Sequence, residues 1–231
     1  PPVQIIGPVI QYSEIGATSE AANKIKAEDL AQGAGKMLTG LFKVMVLALP
    51  LQRSTSLFSS PPDSVWKSWV LLVLFAWYLY LNFAGYSDMA IGAARLCGFR
   101  LKPNFNFSYF RDSLQGFWKA WHMSLTGFCN RNIFMLMGGY RKRMQYPAIF
   151  ATMITIGLWH DIKWSFLLFG IYHATGLTIE RLFRNCFSAP WPLPLRILST
   201  VTTFLFVILS YPMVMLPVEK LIAFYLSLLG L

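Results

Sequence analysis

The run SWVLLVLFAWYLYLNFAGYS, residues 68–87, decides the class of this protein. It holds no charge over twenty residues. A helix of about 20 apolar residues is what a bilayer core of about 30 Å requires. Trp66, Trp69, Trp77, Tyr78 and Tyr80 add amphipathic rings near its ends, as interface anchors do. A second uncharged run, 197–218, follows the proline-rich link of Pro190, Pro192 and Pro194, and Pro212 and Pro217 kink or end it. Residues 144–159 form a third apolar run, closed by His160, Asp161 and Lys163. Residues 164–179 form a fourth, broken only by His173. These last two predict a helical hairpin turning near 161–163.

The sequence therefore predicts an all-α, multi-pass transmembrane helical bundle with interfacial or re-entrant helices. Residues 1–231 read as one membrane-embedded region, with candidate spans near 68–87, 144–160, 164–180 and 197–217. Residues 1–35 read as a loop and a surface helix. The stretch 41–51 is too short to span and reads as buried or interfacial. Its start at Pro1 and its end inside the uncharged run 221–231 suggest a segment of a longer membrane protein, cut at both ends.

Composition agrees. Hydrophobic residues make up 55% and charged residues 13% of the 231, where soluble domains carry about 25% charged residues. This excludes disorder, collagen and a disulfide scaffold, and speaks against a soluble enzyme. The 20 Lys and Arg outnumber the 10 Asp and Glu, for a formal charge of +10. Residues 95–143 hold nine basic residues and one acid, which places that stretch on the cytoplasmic side by the positive-inside rule. Nucleic-acid binding fits the charge but not the hydropathy. Cys97, Cys129 and Cys186 have no metal-ligand spacing, so no metal site is expected.

Chemistry centres on three histidines, the side chain best suited to proton transfer near neutral pH. His160 shares a helical face with Gly157 and Trp164, while the adjacent Asp161 points elsewhere. It reads either as a proton acceptor or as a structural histidine at the interface. Trp118, Trp121, His122 and Leu125 fall on one face of an amphipathic helix, leaving His122 as site residue or incidental neighbour of an aromatic anchor. His173, between Gly170 and Gly176, reads as structural. Asp88 and Arg95, two turns apart, suggest a buried pair that fixes packing. Asn104 and Asn106 supply amides that hold a carbonyl or phosphate oxygen, or simply make a turn. The sequence contains no phosphate-cradling glycine loop, serine elbow or zinc motif.

Taken in order, several strings resemble the membrane-bound O-acyltransferase family, in its alginate O-acetyltransferase-like branch. They are Asn82-Phe-Ala-Gly-Tyr-Ser-Asp-Met-Ala-Ile-Gly, Ala94-Arg-Leu-Cys-Gly-Phe, Asn104-Phe-Asn, Phe117-Trp-Lys-Ala-Trp-His-Met-Ser-Leu, Gly138-Gly and Gly157-Leu-Trp-His. The resemblance implies that His160 is the main catalytic residue and His122 a second. It makes Trp159, Trp118, Trp121, Asn104 and Asn106 substrate-binding candidates. It further implies no bound cofactor, and acetyl-CoA or another acyl thioester as donor. The acceptor would be a hydroxyl of an extracytoplasmic polysaccharide or of a secreted or periplasmic partner, reached from the bacterial inner membrane. Three alternatives stay open: D-alanyl transfer to teichoic acid, a transporter or channel, and an inactive membrane subunit. Ala120, which stands where the branch carries arginine, keeps the last of these in view.

Overall fold

The computed structural model describes residues 8–9, 25–59, 64–186 and 191–231, and these contain helices and loops but no strand. The chain divides into two compact units, one of residues 1–55, 73–106 and 120–125, the other of 56–72, 107–119 and 126–231.

In the first unit, α1 (Ala27–Phe42) runs on through a π-helical stretch (Lys43–Ala48) and a 3-10 stretch (Leu49–Phe58). It packs antiparallel on α2 (Val65–Leu96), which belongs to this unit from residue 73. The crossing is built on glycine. A Cβ at Gly40 would lie 2.5 Å from the Gly85 carbonyl oxygen, and one at Gly92 would lie 2.6 Å from the Gly33 carbonyl oxygen. Only residues without a side chain let two backbones approach this closely.

The charges of α1 and α2 satisfy one another across this contact. Asp88 accepts Lys36 Nζ at 2.9 Å and Lys43 Nζ at 2.6 Å. Asp29 takes Arg95 at 3.3 Å and Arg100 at 2.9 Å. The expected Asp88–Arg95 pair is thus corrected: both residues reach across to α1 instead. Seven residues of helix separate their backbones by about 10 Å along the axis, whereas α1 brings opposite charges into direct contact.

In the second unit, α5 (Gln145–His160) and α6 (Trp164–Cys186) form the predicted hairpin, with the chain turning at residues 161–163. A Cβ at Gly157 would collide with the Phe166 carbonyl oxygen, and one at Gly170 would lie 2.7 Å from Ile154 Cα. Before the hairpin in the chain come α3 (Leu114–Ala120) and α4 (Met123–Cys129). The helix α7 (Leu193–Ile208) breaks at residues 209–210, as Pro212 foretold, and α8 (Tyr211–Met215) follows. Pro217 caps the start of α9 (Val218–Ser227). Tyr172 on α6 stacks on Phe206 of α7 at 4.1 Å and donates its hydroxyl to the Phe206 carbonyl.

Among the described residues, three stretches are long and apolar enough to cross a membrane: Ala27–Phe58, Val65–Leu96 and Leu193–Met215. Val65–Leu96 covers the expected 68–87 and Leu193–Met215 overlaps the expected 197–217, while α5 and α6, over the expected 144–160 and 164–180, are not among the three. The first was read from sequence as a loop, a surface helix and a short apolar run, and is instead one continuous helix of 32 residues.

Candidate active site

The first unit gathers Asn104, Asn106, Trp121 and His122. The sequence periodicity predicted one helix carrying Trp118, Trp121, His122 and Leu125, but the helix stops at Ala120 and restarts at Met123. His122 occupies the break with φ of 43°. A non-glycine residue in this left-handed region is uncommon, and such conformations cost on the order of 1–3 kcal/mol. The surroundings hold it there. The Asn104 carbonyl accepts the Met123 N–H at 2.9 Å, and Asn106 N–H reaches the Ala120 carbonyl at 2.9 Å. Asn104 Oδ1 accepts both the Ser124 N–H at 3.0 Å and the Ser124 hydroxyl at 2.9 Å. Asn104 therefore caps the start of α4 twice, satisfying two of its orphan donors.

The His122 ring is 5% exposed. Phe83 meets it edge-on at 4.9 Å, and Phe105 lies roughly parallel to it at 6.4 Å. Trp121 packs against Phe105 at 5.1 Å and Tyr80 at 6.1 Å. His122 Nδ1 lies 3.4 Å from Ser124 Oγ. Ser124 is the contact that sequence reasoning missed. Its only signal was a hydroxyl two residues after a histidine, and its link to Asn104 spans twenty residues.

His160 sits in the second unit, on the last turn of α5 at the hairpin tip, and is exposed. The predicted shared face of Gly157, His160 and Trp164 does not form, because Asp161 adopts extended backbone and Trp164 begins the next helix. The imidazole instead stacks on Phe166 at 6.0 Å and meets Trp159 edge-on at 4.9 Å. Trp159 is 58% exposed. Asp161 is engaged by Lys163 at 2.6 Å, and that contact holds its carboxyl below the usual range. It is directed at the lysine, which fits its dismissal as a partner of His160.

Trp118 is buried in the second unit. Its indole N–H donates to His173 Nδ1 at 3.3 Å, and His173 Nε2 lies 3.0 Å from Ser210 Oγ. The Ser210 hydroxyl donates to the Val207 carbonyl at 2.7 Å. Since Nδ1 accepts, Nε2 carries the proton and donates to Ser210. His173 thus joins α3, α6 and the end of α7 as a neutral buried link, in line with its structural reading. Glu180, seven residues on, accepts the N–H groups of Leu114 at 2.5 Å and Gln115 at 3.3 Å, which caps α3.

The profile of the membrane-bound O-acyltransferase family matches residues 2–217. The chain belongs to this family. It is similar to a probable alginate O-acetylase of Azotobacter vinelandii, at 31% identity over 91% of this chain and 42% of that protein. It is also similar to a peptidoglycan O-acetyltransferase of Helicobacter pylori, at 28% identity over 91% of this chain and 41% of that one. A teichoic acid D-alanyltransferase of Bacillus subtilis matches at 29% over 59% of this chain and 38% of its own length. The chain spans about two fifths of the length of these curated relatives. An all-α membrane protein of this family is what the sequence pattern predicted.

Proposed function

We propose that this chain carries acyl-transfer residues of a multi-pass membrane O-acyltransferase of the bacterial inner membrane. The transferred group is acetyl, the donor a thioester such as acetyl-CoA, and the acceptor a hydroxyl of an extracytoplasmic polysaccharide or of a relay protein. The acetyl reading is supported by the relatives: the two O-acetyl-transferring proteins align over 91% of the chain and the D-alanyl one over 59%.

The observation that carries the proposal is His160, exposed at the tip of the glycine-packed hairpin within the family's Gly-Leu-Trp-His string. His160 accepts the proton of the acceptor hydroxyl as its oxygen attacks the thioester carbonyl. The tetrahedral intermediate then collapses, breaking the carbon–sulfur bond, and the thiolate leaves with the proton that His160 held. The products are an ester and a free thiol. A positioned base of this kind contributes about 10²–10⁴ in rate. His122, in its strained turn, supplies a second imidazole to orient substrate or balance developing charge. Asn104 and Asn106 flank it, and Trp159 and Trp121 offer aromatic surface beside the two histidines.

Transfer of labelled acetyl from a thioester in membranes holding the complete chain tests this. His160→Ala is expected to abolish transfer while the protein still accumulates folded. Normal transfer by that variant would overturn the assignment. Covalent transfer by detergent-purified protein, without a membrane gradient, separates an enzyme from a transporter.

A further inference from the structure

The donors and acceptors around Ser124 fix which partner gives the proton in its contact with His122. The Ser124 backbone N–H donates to Asn104 Oδ1 at 3.0 Å. A peptide N–H cannot donate to an amide NH₂, so the oxygen of Asn104 is fixed as the acceptor there. The Ser124 hydroxyl, 2.9 Å from that same oxygen, must give its single proton to it. Its lone pairs are then left to accept, and the Val9 N–H takes one of them at 2.9 Å. The remaining neighbour is His122 Nδ1 at 3.4 Å. Since Ser124 has no second proton to offer, Nδ1 must be the donor.

We infer that Ser124, itself held by Asn104, is a positioning residue that fixes His122 as the Nδ1–H tautomer and puts the ring's lone pair on Nε2. An imidazole in this state can take a proton or accept a hydrogen bond at Nε2, the atom farthest from the backbone. The wrong tautomer would offer an N–H there instead and could do neither. The left-handed turn at His122 lies only two positions before this serine. The catalytic meaning of this tautomer rests on the proposed role of His122. The tautomer itself does not.

The experiment joins ¹⁵N NMR of histidine-labelled protein in bilayers with acetyl-transfer kinetics. The His122 signals are identified as those lost in His122→Asn. Wild type is expected to show His122 Nδ1 protonated and Nε2 bare. Ser124→Ala should shift His122 toward a mixture of tautomers and lower kcat by about tenfold or more with little change in KM. Ser124→Thr, which keeps the hydroxyl, should restore both signals. A protonated Nε2 in neutral wild-type His122, or an unchanged tautomer in Ser124→Ala, would overturn the inference. If the tautomer responds as expected but His122→Asn transfers acetyl normally, the catalytic reading of His122 fails and the positioning of its ring by Ser124 stands.

Discussion

At the scale of single residues, the two buried histidines show how neighbours set an imidazole's chemistry. His122 and His173 are each tied through Nδ1, but with opposite sense. His122 donates from Nδ1 to a serine, while His173 accepts at Nδ1 from an indole that can only donate. The relay from Trp118 through His173 and Ser210 to the Val207 carbonyl is fully directed, so each member depends on the next. Trp118→Phe keeps an aromatic ring and leaves His173 Nδ1 buried without its donor, which should cost about 1–3 kcal/mol. Ser210→Ala should cost a similar amount. In the double variant the losses should total less than their sum, since residues of one network couple. Denaturant unfolding in detergent reads all three, and strictly additive losses would show that the three groups do not act as a chain. Sequence reading offered no view of this relay. It read His173 as structural from its flanking glycines, but 55 residues separate it from Trp118.

At the scale of elements, legibility followed how each segment meets its neighbours. The α5–α6 hairpin was readable because three polar residues interrupt two apolar runs. The break at His122 was not, because aromatic residues at helical spacing continue through it and no glycine or proline marks it. The first long helix was hidden by Asp29, Lys36 and Lys43, which read as surface charge. They are instead matched by Arg95, Arg100 and Asp88, so the polarity is internal to the helix pair. Glycine tests how tightly these pairs are built. Gly157→Ala places a methyl against the Phe166 carbonyl and should destabilise by about 1–3 kcal/mol. Gly35→Ala, on an exposed face of α1 with nothing within 4 Å, should be neutral or stabilising by up to about 1 kcal/mol. Thermal unfolding of the two variants side by side checks the contrast. Equal effects would mean that the hairpin has slack where the backbones cross.

At the scale of the whole molecule, charge and chain parity together predict an orientation in the membrane. The basic stretch 95–143 follows the end of α2 at Leu96, so that end is expected on the cytoplasmic side. The beginning of α2 then lies outside, and Ala27–Phe58 enters from the cytoplasm. A hairpin returns to the side it left whatever its depth, so α7 also begins on the cytoplasmic side. Arg181, Arg184 and Arg196, against Glu180, give that end an independent basic bias. The C-terminal end of the third span, near Glu219, is then outside. The depth of the hairpin matters for chemistry. The 16 residues of α5 rise about 24 Å, short of the roughly 30 Å core, so this orientation predicts that the tip brings His160 toward the far face. That depth would suit the role proposed for His160, between a cytoplasmic donor and an extracytoplasmic acceptor. Single cysteines at Ser64, Lys142, Arg196 and Glu219, in protein lacking its native cysteines, test the orientation with an impermeant thiol reagent. Ser64→Cys and Glu219→Cys should label only from outside, and Lys142→Cys and Arg196→Cys only from the cytoplasmic side. Labelling of Lys142→Cys from outside would invert the orientation, and His160 would then face the donor's compartment.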